Sequence, residues 1–151
     1  MNTKVLFSKE SDHWSTPKAI YNYFMDRGYK DPCPLHCEEN NLLKDFGNVD
    51  LYINPPYSDI NSWVDYSISH VHKYFGAKVY LLVPSRTDTK WFQRLLQSDN
   101  LKVTFNFFEG RLKFGGSNNS APFPSVLIEL TEHWSSAKKI NSIPKSKLKE
   151  L

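Results

Sequence analysis

The stretch "AKVYLLVP", residues 77–84, constrains the fold more than any other part of the chain. It is a nearly continuous apolar run without the alternation of a half-exposed strand. A strand reads this way when both of its faces are covered, as a central strand between two helical layers is. The flanking segments supply such layers. Upstream, "INSWVDYSISHVHKYFG" has apolar residues at 60, 63, 64, 68, 71 and 75 and closes on Gly76, the pattern of an amphipathic helix with glycine past its end. Downstream, "RTDTKWFQRLLQ" reads as a helix with Trp91, Phe92, Leu95 and Leu96 inward. A shorter strand, "VDLYIN" at residues 49–54, precedes the first of these helices. Strand, helix, buried strand, helix, strand is α/β order and predicts a mostly parallel sheet.

The remaining segments fit around that unit. Thr16-Pro17 supplies an N-cap and a proline at the first helical position. Ile20, Tyr23 and Phe24 follow at helical spacing and Gly28 closes the helix. "YKDPCPLHCEENNLL" reads as a very short strand and a proline-broken turn. "LKVTFNFF" and "GRLKFGG" read as two strands around Glu109-Gly110, and "SVLIELT" as the final strand, so an antiparallel hairpin edge is expected. The last twenty residues hold five lysines against two glutamates and few apolar side chains. They are expected to form a basic, flexible tail, which divides the chain into a folded domain of residues 1–131 and a tail of residues 132–151.

Composition excludes several classes. At 151 residues the chain is one domain with room for a substantial core. No apolar run approaches the ~18 residues of a membrane span, and the first residues lack the apolar core of a signal peptide. An intracellular location follows as the default. Cys33, His36 and Cys37 have no second ligand pair, so ordinary thiols are expected and no metal. The net charge of +3 equals that of the last twenty residues alone. Such an excess suits an anionic partner or a merely solvated surface.

In an open α/β sheet, ligands bind beyond the carboxyl ends of the strands. Three unusual loops fall there: "DPCP", "NPPY" and "PSRTDT". In the second, Pro55 and Pro56 remove two N–H donors and hold the residues before them extended. What remains is a rigid cluster of acceptors: the Asn54 side-chain oxygen and the carbonyls of Asn54 and Pro55. Tyr57 adds a flat face. Acceptors beside a flat face suit a planar aromatic amine such as adenine. Two acceptors on an exocyclic amine draw its nitrogen toward tetrahedral geometry and free the lone pair to attack an activated methyl group. The plain alternative is an ordinary proline turn.

The series "WSTP", "DPCP", "VDLYINPPYS", "LLVPSRTDTKWF", "GRLKF" and "APFPS", spread over residues 12–130, resembles the phage-type DNA N6-adenine methyltransferases, the Dam-like family. The resemblance implies a compact Rossmann-like methyltransferase fold, S-adenosyl-L-methionine as methyl donor, and double-stranded DNA whose target base is flipped into the pocket. It implies a catalytic loop of Asn54, Pro55, Pro56 and Tyr57. The cofactor would meet Trp14, Ser15, Thr16, Pro17, Asp31, Pro32, Cys33 and Asn54. Arg86, Lys90, Arg111 and Lys113 are candidates for phosphate contacts, or for solvated charge and a local Arg86–Asp88 pair. The chain departs from the wider superfamily at "DPCPLHCEENN", which has no glycine where a glycine-rich turn is expected. Glu38, Glu39 and Asp45 are the candidates for the cofactor ribose. Cytosine N4, RNA adenine or a glutamine amide remain open as acceptors, as does a nucleic-acid-binding relative without catalysis. Monomer and homodimer both remain open.

Overall fold

The computed structural model describes residues 13–35, 41–115 and 119–149. Its sheet consists of β1 (Leu51–Ile53), β2 (Lys78–Pro84), β3 (Leu101–Phe108), β4 (Ser125–Glu132) and β5 (Ala137–Ile143), in the spatial order β1-β2-β4-β3-β5. β1 is parallel to β2 and β3 is parallel to β5, while β4 runs antiparallel between β2 and β3. An isolated parallel bridge joins Lys30 to Leu51. The helices are α1 (Lys18–Met25), α2 (Ile60–Lys73) and α3 (Lys90–Gln97).

The alternation of side chains along each strand separates two cores. Leu51 and Ile53, Val79, Leu81 and Val83, Val103 and Phe105, and Ile128 and Leu130 share one cluster with Trp63, Val64 and Val71 of α2 and Trp91, Phe92 and Leu95 of α3. Phe92 stacks on Phe105 with ring centroids 5.0 Å apart. On the other face, Phe24 of α1 stacks on Tyr52 at 4.6 Å and leans on Tyr80 at 4.9 Å. Gly28, at φ +82°, lets the chain reverse after α1 while Tyr29 N–H donates to the Phe24 carbonyl. The α/β class and the central buried strand are as the sequence predicts, and the architecture is compatible with a Rossmann-like methyltransferase fold.

Several local expectations change. The sheet is evenly mixed rather than mostly parallel, because β4 inserts antiparallel between β2 and β3. "GRLKF" is not a strand. Arg111 and Lys113 do alternate outward with Leu112 and Phe114 inward, but the segment runs over the rim of the sheet without joining its ladder. Phe75 and Leu96, expected inward, are 80% and 38% exposed. Pro17 rather than Thr16 sits at the N-cap of α1, without a side-chain cap.

The largest difference lies in the last twenty residues. Their middle forms β5, paired along its length with β3 from Lys102↔Ala137 to Phe108↔Ile143. An edge strand needs only backbone pairing and modest side-chain support, so a polar sequence suffices. Here Asn141 Nδ2 donates to Asn106 Oδ1 at 3.2 Å and Lys138 Nζ donates to the Ser98 carbonyl at 2.8 Å.

Candidate active site

The period of β1 places Tyr52 and the next even residue, Asn54, on the α1 face of the sheet. Pro55 and Pro56 then end the ladder, and a short 3-10 turn at Tyr57–Asp59 leads into α2. Asn54 is 4% exposed. Its Nδ2 donates to the Trp14 carbonyl and, at 3.1 Å, to Thr16 Oγ1. A carbonyl only accepts, so the amide nitrogen must be the atom at Trp14 and Oδ1 must face the other way. Oδ1 is buried and has no hydrogen-bond partner among the described residues. His13 Nε2 donates to the Asn54 backbone carbonyl at 2.8 Å, which occupies one of the two lone pairs of that expected acceptor. Thr16 Oγ1 also pairs with the Tyr52 hydroxyl at 3.0 Å. Burial holds the Tyr52 phenol far above its ordinary pKa, so it stays neutral.

These groups form one wall of a cleft of about 480 Å³, within the ~300–1,000 Å³ typical of small-molecule sites. Trp14, Ser15, Thr16, Asp31, Cys33 and Asn54 all line it, together with His13, Lys18, Tyr21, Pro34, Leu35 and Gly115. Asp31 Oδ1 accepts the Cys33 N–H at 2.9 Å. Desolvation outweighs that bond and raises the Asp31 pKa from 3.8 to about 6. Trp14 packs on Phe114 at 5.5 Å and on Phe123 at 5.7 Å while also lining the cleft. Tyr57 meets Phe123 edge-on at 5.2 Å. Burial raises the Tyr57 pKa, with Arg86 opposing the shift. The Tyr57 hydroxyl is buried and unpartnered among the described residues, as are those of Ser85 and Ser125. These two serines lie on neighbouring strand ends, where Ser85 N–H donates to the Pro124 carbonyl at 2.9 Å and Ser125 pairs with Pro84.

Other predicted residues fall outside the cleft. Pro32 contributes its carbonyl, which accepts from Asn41 Nδ2 at 2.8 Å. Arg86, Arg111 and Lys113 are exposed on the rim. Lys90 instead lines the groove between α2 and α3 with Gln93 and Arg94. Asp45 is bound to Lys73 and Tyr74 around the far end of α2 and does not line the cleft. Glu38 and Glu39 lie outside the described residues.

Several contributors were not singled out from the sequence, among them His13, Tyr52 and Gly115. Gly115 N–H donates to the Ser15 carbonyl at 2.8 Å. A Cβ at Gly115 would lie 2.9 Å from Ser15 Oγ and 3.3 Å from the Thr16 carbonyl oxygen. Glycine at 115 thus lets that segment pack closely against Ser15 and Thr16 at the cleft wall. A hydroxyl-bearing Tyr52 two residues before Asn54 in a fully buried strand was the one available signal.

A mixed α/β sheet with a cleft beyond the carboxyl ends of its parallel strands is compatible with a Rossmann-like methyltransferase. The model of the family described as DNA N-6-adenine-methyltransferase (Dam) matches residues 3–149, and the chain belongs to that family. Membership carries the family's general activity, N6 methylation of adenine in DNA. No curated protein and no solved structure matches the chain. No helix among the described residues is long and apolar enough to cross a membrane.

Proposed function

We propose that the chain transfers a methyl group from S-adenosyl-L-methionine to the N6 amine of adenine in duplex DNA, with the target base extruded against Asn54, Pro55, Pro56 and Tyr57. The observation that carries this reading is the buried Oδ1 of Asn54, which has no partner among the described residues and whose direction is fixed by the two bonds made by Nδ2. A buried acceptor without a donor is costly, about 1–3 kcal/mol, and an amino group entering the pocket would relieve that cost.

The cleft residues fit the cofactor. Asp31 offers a desolvated carboxylate suited to an ammonium group, Trp14 a ring, and Ser15 and Thr16 polar groups on the same wall. Pro17, Pro32 and Cys33 hold that wall in place. When bound, S-adenosyl-L-methionine supplies a methyl group made electrophilic by its sulfonium.

Asn54 Oδ1 and the Pro55 carbonyl accept the two amino hydrogens, so positive charge developing on nitrogen meets fixed acceptors rather than reorganising water. Once methylated, the cationic nitrogen is a strong acid and releases its proton to solvent, so no side chain with a tuned pKa is required. Tyr57 provides the face against which the extruded base rests, and the hydroxyls of Ser85 and Ser125 offer its ring nitrogens polar partners. Extrusion itself opposes the reaction by a few kcal/mol of lost stacking. Arg86, Arg111 and Lys113 contact the flanking phosphates.

The test is product identity. Unmethylated duplex DNA incubated with the chain and methyl-labelled cofactor, then digested to nucleosides, should carry the label in N6-methyldeoxyadenosine. Label in N4-methylcytosine, in RNA or in protein alone would replace the acceptor, and no label in any of them would overturn the reading.

A further inference from the structure

The last residues of the chain return to the rim that carries Asn54. Because β5 runs parallel to β3, its carboxyl end lies beside Phe108, at the same end of the sheet as the carboxyl ends of β1 and β2. Pro144 follows, then a 3-10 turn at Lys145–Lys149. Lys145 N–H donates to Glu109 Oε1 at 3.3 Å, and Lys145 Cε lies 3.5 Å from where a Gly110 Cβ would stand. Lys147 borders a second cavity with Ile20 and Tyr23 of α1, the helix whose first turn lines the active-site cleft.

Residues 110–115 then cross the rim from this corner to Gly115 at the cleft wall. Arg111 and Lys113 project outward along the way while Leu112 and Phe114 anchor the segment. Lys145, Lys147, Arg111 and Lys113 are all exposed. The ion pairs formed among the described residues join His72 to Glu132, Lys73 to Asp45 and Arg94 to Asp65, all away from this track. Among the described residues the acidic groups at this end of the sheet include Glu109, which accepts the Lys145 backbone N–H, Asp88, Asp59 in the turn after β1, and Asp31, which lines the cleft.

We infer that Lys145 and Lys147 form the distal end of a phosphate-binding track whose partner is duplex DNA, entering the cleft through Arg111 and Lys113. This rests on the DNA-methylating reading above and deepens it. The sheet places β5 four strand spacings from β1, about 19 Å. At ~3.4 Å of rise per base pair along the duplex, that separation corresponds to phosphates about five or six base pairs from the extruded adenine. β5 thus anchors a cationic arm at a fixed distance from the reacting base.

The experiment measures DNA affinity by fluorescence anisotropy on unmethylated 30-base-pair duplex across a salt series, with methyl transfer measured alongside. The subjects are the full chain, Lys145→Gln/Lys147→Gln, the Lys145→Arg/Lys147→Arg pair and a charge-matched control, Lys78→Gln/Lys102→Gln. Lys78 and Lys102 are exposed at the amino ends of β2 and β3, on the opposite rim. The glutamine pair at 145 and 147 should lower the slope of log affinity against log salt by about 2, close to one per lysine. It should weaken binding tenfold or more at low salt and raise KM for DNA with kcat retained. The arginine pair should restore the slope, and the control should match wild type. A wild-type slope in the glutamine pair, or an equal drop in the control, overturns the inference while leaving methylation intact. A wild-type chain that neither binds nor methylates duplex DNA sinks the parent reading as well, which is a distinct result.

Discussion

The two faces of the sheet are built from different materials. Beneath α2 and α3 the core is largely aliphatic on the sheet side, and its buried polar groups are paired: Ser67 Oγ donates to the Trp63 carbonyl at 2.7 Å, and His70 Nε2 bonds the Val49 carbonyl at the same distance. Beneath α1 the core is aromatic, and four buried polar atoms at the rim have no partner among the described residues: Asn54 Oδ1 and the hydroxyls of Tyr57, Ser85 and Ser125. Native interiors satisfy nearly all buried polar groups. These exceptions cluster at the rim, where Tyr57 packs against both cores, and they separate the interior that holds the fold together from the rim prepared for a ligand.

Large-to-small substitutions in the two cores test that division. Phe24→Ala should have the largest effect, because Phe24 stacks on Tyr52 and supports the Tyr52–Thr16–Asn54 chain. It should lower stability by about 3–5 kcal/mol and also depress methyl transfer at temperatures where the variant remains folded. Leu81→Ala, at a fully buried site under α2, should lower stability by about 2–5 kcal/mol but leave kcat within about twofold. Urea melts and transfer rates on both variants give the comparison. Equal losses of activity in the two would erase the distinction between the faces.

Asp31 gives a smaller, pH-dependent effect. Its folded pKa of about 6 lies above the unfolded value of 3.8, so the folded chain holds the proton more tightly in between. Stability from this group is therefore full below about pH 4 and is lost as pH rises toward 6, by about 2–3 kcal/mol, then changes little. Asp31→Asn should remove that slope in urea midpoints collected from pH 4 to 7. The variant should also weaken cofactor binding at pH 7.5, where the native side chain is ionised. An unchanged slope would remove Asp31 from the desolvated wall.

The smallest effect is expected far from the cleft. Arg94 pairs with Asp65 on the exposed surfaces of α3 and α2. Exposed pairs contribute about 0–1 kcal/mol, so Arg94→Gln should shift the urea midpoint only slightly and leave transfer unchanged.

The central strand, the helices around it and the Asn-Pro-Pro-Tyr turn were legible because each is set by local chemistry: apolar period, glycine stops and proline. The residues that complete the site were less visible. Which way Asn54 points depends on the Trp14 carbonyl, forty residues earlier, and backbone partners leave no mark in side-chain pattern. Gly115 serves the cleft only because its segment passes against Ser15. The alternation in "GRLKF" was real, yet it describes a segment lying across the rim, where inward and outward positions exist without a ladder. The polar sequence of β5 reads as a tail because an edge strand needs little apolar content. Its position was fixed by pairing with β3, which only the assembled sheet reveals.

The central claim is that Asn54 Oδ1 accepts the reacting amine. The most direct test is a single-turnover comparison of wild type and Asn54→Ala, with cofactor and DNA affinities measured on the same samples. A lost transition-state contact of this kind lowers the rate by about 10²–10³. That loss, with both affinities held within about threefold, is the predicted result. A transfer rate in Asn54→Ala equal to wild type would contradict the account.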